Sequence, residues 1–434
     1  MTARLGSTLL AVALLLPVAS SNSSADNVMR APKPNAKLSV EKLERITGFF
    51  DNEVASQKIS GAIVLVQRHG KPVYFKSFGK TDPVAGSAMN ADTIFRIHSM
   101  SKPITSVTAM MLVDDGKIAL QDPVSKFIPS FAGAKVGVET KGENGNPVLA
   151  LVPLARPITV EDLLRHSSGI TYGFYGKGLV RNAYANADLF ADGIDNALLA
   201  EKVALLPLAE QPGTMWDYGH STDILGRVIE VASGKSLYEF QKERLFSPLG
   251  MKDTSYYVAD RAQHSRIAEP LPSDNNFRTG SARNPRVYTK WESGGGGLLT
   301  TIGDFSRFAQ MLLNGGKLDG KTFLTGKSFS EMTRNRIAPV TAVKRGEFYF
   351  PGDGFGFGLG FGVRTEPGNA NPPPPGSLGE IKWDGAGGTY FFIDRAQDMF
   401  AVLMIQSPSE RGRIHPVLKK MIYDAFEDEA TREK

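Results

Sequence analysis

The chain of 434 residues contains no cysteine. That excludes a disulfide framework, a thiolate metal site and a cysteine-anchored lipid. Histidine is also scarce, at six, and the six are scattered with no H-E-x-x-H spacing, so no metal site is expected. No tract of lysine or arginine concentrates the formal net charge of +5, which leaves no nucleic-acid footprint. Beyond the N-terminus no apolar run approaches membrane-span length. What is present is an ordinary globular composition, 41% hydrophobic and 22% charged, enough for one large domain or two moderate ones.

Arg4 precedes an apolar run from Leu9 to Ala19 that is too short to span a bilayer, and Ser23-Ser24-Ala25 offers a small-residue cleavage site. Residues 1–25 therefore read as a signal peptide, with Ala19-Ser20 as the other cut and an uncleaved anchor as the other reading. Export to the periplasm or outside is expected. Residues 26–37 read as a linker.

Leu38, Leu43, Ile46, Phe49, Phe50 and Val54 recur at helical spacing. Gly61–Gln67 and Pro72–Phe78 flank Arg-His-Gly-Lys and predict a β-hairpin. After Lys102, the residues Ile104, Val107, Met111 and Leu112 predict an amphipathic helix ending near Gly116, with Ser99 at its entrance. The middle of the chain is mostly helical. Thr159 and Ser236 open capping boxes, Gly234 suits a C-cap, and residues 133–157 read as a hairpin excursion. The final third returns to strands at Phe355–Val363, Thr389–Ile393 and Met399–Ile405, then a helix carrying Ile414, Leu418 and Ile422. This order predicts an α/β fold of the α+β type whose sheet is completed from both ends of the chain. The expected division is an α/β sandwich over 38–98 and 286–434, and a mainly helical domain over 99–285.

Ser99 lies three residues before Lys102, and residues so spaced share a helix face. A serine at a helix entrance meets orphan N–H groups able to stabilise an oxyanion, and a lysine with a lowered pKa can take its proton. Alone, the spacing says no more than an N-capping serine and a solvated lysine. Two further clusters add to it: Tyr218-Gly219-His220, breaking into a helix, and Trp383-Asp384-Gly385-Ala386 beside a strand.

With these three motifs in order, the sequence resembles the serine β-lactamase and penicillin-binding-protein superfamily, closest to class C β-lactamases and family VIII carboxylesterases. The likeness extends over Gly61–Gly79, Ile158–Gly169, Tyr218–Gly234 and Gly294–Phe308. It implies a helical domain beside a largely antiparallel sheet flanked by helices, with the site in the cleft between. It implies Ser99 as the nucleophile of an acyl-enzyme, with Lys102 and Tyr218 sharing the acid and base work. The N–H groups of Ser99 and Ala386 would form the oxyanion hole, and His220, Trp383 and Gly385 would touch substrate. No cofactor is implied.

His220 stands where lactamases and peptidases of the superfamily carry asparagine, and Trp383 where they carry a cation facing a substrate carboxylate. Both departures favour neutral acyl esters. The expected activity is thus ester hydrolysis by a monomer acting on a small molecule. No integral membrane segment is expected after signal cleavage. The alternatives are an amide hydrolase of the same fold (a class C-like β-lactamase, D-stereospecific peptidase or carboxypeptidase) and a penicillin- or peptidoglycan-binding protein without turnover. Asp384 is either a second repulsive charge at the cleft or an outward-facing strand residue. Ser221 lacks the final glycine of a nucleophile elbow and reads as an N-cap. His166 reads as a helix-end residue complementing the dipole, and His98 is expected to point away from the site.

Overall fold

The computed structural model describes residue 32 and residues 36–274 and 284–427. The expected signal peptide and most of the linker lie outside the described residues. The main elements are α1 (Arg45–Ala55), β1 (Gly61–Arg68), β2 (Lys71–Gly79), α2 (Ser101–Asp114), α3 (Ser221–Ser233), α4 (Ile302–Leu313), β3 (Phe355–Phe357), β4 (Gly362–Arg364), β5 (Ile381–Asp384), β6 (Tyr390–Asp394), β7 (Met399–Ile405) and α5 (Arg411–Asp424).

The β1–β2 hairpin turns through His69 and Gly70, both at positive φ (51° and 72°), the backbone that tight hairpins demand. Its partner across the sheet comes from the far end of the chain: β1 pairs antiparallel with β7, Val64 opposite Leu403. The full order is β3-β4-β5-β6-β7-β1-β2, antiparallel throughout. The α+β architecture and a sheet closed from both ends are as expected.

Side chains alternate across a strand, so each central strand feeds two cores. Ala62, Val64 and Val66 of β1, with Ala401 and Leu403 of β7, pack against Phe50 of α1 and Leu418 and Ile422 of α5. Ile63 and Leu65, with Val402 and Met404, join the other core, which runs through Phe305 and Phe308 of α4 into the helices of the middle of the chain. Each buried large side chain contributes about 1.5–3 kcal/mol. Residues 99–285 hold α2, α3, shorter helices, and the expected excursion as a two-stranded hairpin, Lys135–Lys141 with Pro147–Pro153.

Three local readings change. Every residue of α2 from Ser101 to Leu112 is buried, so this is a core helix with no solvent-exposed face over that span. Phe355–Val363 is not one strand: it turns at Gly358–Phe361, where the Gly358 N–H donates to the Phe361 carbonyl at 3.0 Å, giving β3 and β4. Ser221 is not an N-cap but the first residue of α3, buried with its hydroxyl 2.8 Å from that of Ser168. Among the described residues no helix is long and apolar enough to cross a membrane.

Candidate active site

Ser99 sits in a single 3-10 turn, His98–Met100, that leads directly into α2. The turn is fixed on both sides. Ile97 N–H donates to the Leu298 carbonyl at 3.1 Å, and the Leu298 N–H donates to the Ser101 hydroxyl at 3.1 Å. From the sheet, the turn 385–388 packs directly on Ile97. A Cβ at Gly385 would stand 2.3 Å from the Ile97 carbonyl oxygen, so only glycine fits there. Two hydrogen bonds close that turn, Gly385 N–H to Thr389 and Gly388 N–H to Gly385, and the Ala386 N–H takes part in neither.

One turn along α2, Lys102 is buried with its Nζ 3.3 Å from Ser99 Oγ, 2.6 Å from the Gly295 carbonyl and 3.3 Å from the Tyr172 hydroxyl. The ammonium also lies 4.6 Å from the centre of the Tyr218 ring. Burial pushes Lys102 down to about 8, against the opposing pull of Asp223 and Asp384. With that value about a tenth of the amine is neutral at pH 7, far more than for an ordinary lysine. Tyr218 is buried, and its hydroxyl faces Ser99 and the Trp383 side chain. Burial holds the phenol well above its usual range.

Asp223, on the first turn of α3, organises the opposite wall. Its carboxylate accepts from His220 Nδ1 at 3.0 Å, Ser293 Oγ at 2.6 Å and the Gly295 N–H at 3.0 Å. Burial alone would raise this carboxyl, but His220, Lys102 and Ser293 outweigh it and hold it below its usual value. Gly295 thus receives Asp223 on its N–H and Lys102 on its carbonyl. A Cβ there would stand 2.8 Å from the carboxylate.

Ser99, Tyr218, His220 and Ala386 line one cleft of about 260 Å³. Its other walls are largely aromatic, with Tyr172, Phe174, Tyr175, Phe190, Tyr256 and Trp291. Its cation, Arg96, is ion-paired to Glu269 at 3.0 Å. His98 also lines the cleft, contrary to the expected orientation, because it lies in the 3-10 turn at φ 44° and not on a strand. Burial pushes it down to about 3, helped by Arg96, Arg411 and Lys102, so it is neutral.

Trp383 stands elsewhere. It is 4% exposed and packs behind Tyr218, ring centres 5.7 Å apart, outside the residues that line the cleft. Gly385 supports the turn from behind. Asp384 takes the opposite face of β5 from Trp383 and lies 3.6 Å from His415, so the outward-facing reading holds. His166 follows the end of the helix Val160–Leu164, but burial holds it well below its usual value, so it is neutral and does not complement that dipole as a cation. It is 1% exposed, at φ 55°, with its ring 4.8 Å from that of Tyr218. The sequence reading missed Tyr172 and Asp223 as parts of the site. Asp223 follows the Tyr218 motif by one helical turn, and that spacing was the available signal. Among the described residues no group of three or more histidines or carboxylates is placed to hold a metal.

The fold and this cleft define a β-lactamase-type serine hydrolase. Residues 46–419 match the family model described as beta-lactamase, and the chain belongs to that family. It is 36% identical over 355 residues to protein Rv1367c of Mycobacterium tuberculosis, covering 80% of this chain and 86% of the relative. Esterase EstB of Burkholderia gladioli is 28% identical over 399 residues, 86% of this chain and 92% of EstB. The solved structure of EstCE1, described as a hydrolase with promiscuous acyltransferase activity, superposes with a TM-score of 0.72 at 23% identity, covering 89% and 98% of the two chains.

Proposed function

We propose that the protein hydrolyses neutral acyl esters through an acyl-enzyme on Ser99. The 3.3 Å approach of a buried, low-pKa Lys102 to Ser99 Oγ carries this reading. Neutral Lys102 takes the hydroxyl proton as Ser99 Oγ bonds to the ester carbonyl carbon. The oxyanion so formed lies against the Ser99 and Ala386 N–H groups. Collapse breaks the bond to the alcohol oxygen, which receives its proton through the Lys102–Tyr218 pair. Water then attacks the acyl-serine and gives its proton to the same pair; the bond from Ser99 Oγ to the acyl carbon breaks, Oγ takes that proton back, and the acid leaves.

The neutral substrate follows from the walls. The cleft's guanidinium is already paired, the buried Asp223 carboxylate repels anions, and seven aromatic side chains present apolar surface. EstB bears the name of an esterase and matches most of this chain, which supports the same choice. An acceptor alcohol in place of water would make the same acyl-enzyme an acyltransferase, and the aromatic cleft suits such an acceptor as well as it suits an ester.

The test compares a short-chain nitrophenyl ester with a chromogenic cephalosporin, for the wild type and Ser99→Ala. Ester turnover at least about a hundredfold above cephalosporin turnover, abolished in Ser99→Ala, is expected. Preferred cephalosporin turnover, or ester turnover that survives Ser99→Ala, would refute the reading.

A further inference from the structure

Behind Trp383, reached by the other face of β5, lies a second cavity of about 390 Å³ that the reaction above does not use. Phe350, Phe355, Tyr390 and the four prolines Pro372–Pro375 give it flat apolar walls. Its ionic groups are nearly all engaged. Lys419 pairs with Glu380 at 2.5 Å and Lys420 with Asp424 at 2.5 Å. Asp353 accepts the Asn369 and Ala370 N–H groups at 2.7 and 2.8 Å, and Asp384 faces His415 at 3.6 Å.

Lys382 is the exception. It lines the cavity, with its Nζ 4.1 Å from the centre of the Phe355 ring, and no hydrogen-bond or ion-pair partner holds that nitrogen among the described residues. Burial and the neighbouring Lys419 push it down to about 8, with Glu380 and Asp384 pulling the other way. The buried Arg364 guanidinium, 5.4 Å from the same ring and with Nε and Nη1 unpartnered among the described residues, adds positive potential from behind. Lys382 is half-buried at the cavity wall, and an ammonium there with no protein acceptor is a ready partner for an anion entering the cavity.

We infer that this cavity binds a small organic monocarboxylate with a flat apolar body, its carboxylate on Lys382 and its body against the prolines, Phe350 and Tyr390. A single negative charge is called for, because Asp384 and Asp353 at the rim oppose a dianion such as phosphate. The cavity shares no lining residue with the Ser99 cleft, from which Phe350 and Trp383 divide it, and it does not depend on the ester-hydrolase reading.

Calorimetry of the full chain with benzoate and with its neutral isostere benzamide tests it. Benzoate binds at least about tenfold tighter than benzamide to the wild type, the contribution expected of a charge-assisted hydrogen bond, and Lys382→Gln erases that preference. Benzoate binding to Ser99→Ala is unchanged when a nitrophenyl ester occupies the catalytic cleft. Should Lys382→Gln fail to fold, acetylation of Lys382 in the wild type, mapped by mass spectrometry, decides the matter. Benzoate protects that amine and benzamide does not. Equal binding of the two probes, a preference that survives Lys382→Gln, displacement by the ester, or no protection would each overturn the inference.

Discussion

As the proposed base, Lys102 must be both buried and reactive, and these demands meet in its contacts. Removal from water favours the neutral amine, while the Gly295 carbonyl at 2.6 Å and the Asp223 charge favour the ammonium. The balance fixes the pH response. Because the neutral amine is the working form, kcat/KM for ester hydrolysis rises with pH through about 8 and is level above it. A stopped-flow pH series measures this, and a limb near the value of a free lysine would contradict the assignment. Lys102→Ala lowers kcat/KM by about two to four orders of magnitude, as expected for loss of a general base, with the fold retained by circular dichroism. Trp383 carries a different lesson at this scale. Since it packs behind Tyr218 and borders the second cavity, not the Ser99 cleft, Trp383→Lys places an ammonium on that far side and does not offer a carboxylate partner to the cleft.

At the scale of elements, the site is built where α2, the first turn of α3 and the turn after β5 converge. Asp223 on α3 bonds the Gly295 N–H, and Gly295 in turn holds Lys102, so one helix positions the proposed base on another. Asp223→Asn keeps the shape and removes the charge. The expected result is a fall in kcat of about ten- to a hundredfold, with the acid limb of the pH profile moved to lower pH because the carboxylate no longer favours the ammonium. A purely structural role would leave that limb in place. The same scale shows which parts of the fold were readable. Capping boxes at Thr159 and Ser236, the C-cap at Gly234 and the His69-Gly70 turn are local chemistry, and all were legible. The burial of α2 was not, because Ser101 and Thr105 find tertiary hydrogen bonds, Thr108 bonds back to the Ile104 carbonyl of its own helix, and Ser106 packs on Gly360, none of which periodicity encodes. His98 and Trp383 were misplaced for one reason: a single 3-10 turn and one strand register decide which wall a side chain faces.

Over the whole molecule, the sheet binds the two ends of the chain together. β7 is a central strand, paired with β1 on one side and β6 on the other, and every one of its side chains is buried. A chain ending at Asp398 loses that strand and α5, leaving the β1–β2 hairpin without its partner and one core without half its wall. Such a truncation is expected to lose cooperative unfolding altogether, as read by calorimetry, and a cooperative transition would show that the middle of the chain folds alone. The long reach between Ser99 and Ala386 has the same origin: the two line one cleft only because the last third of the chain closes the sheet begun by the first.

The central claim is covalent catalysis at Ser99, and the acyl-enzyme itself tests it most directly. Rapid acid quench of the wild type with a nitrophenyl ester, followed by intact mass and peptide mapping, is predicted to show one acyl group per chain, carried on the peptide that contains Ser99 and absent from Ser99→Ala. An acyl group on any other residue, or full turnover with no serine adduct at any quench time, would contradict the account.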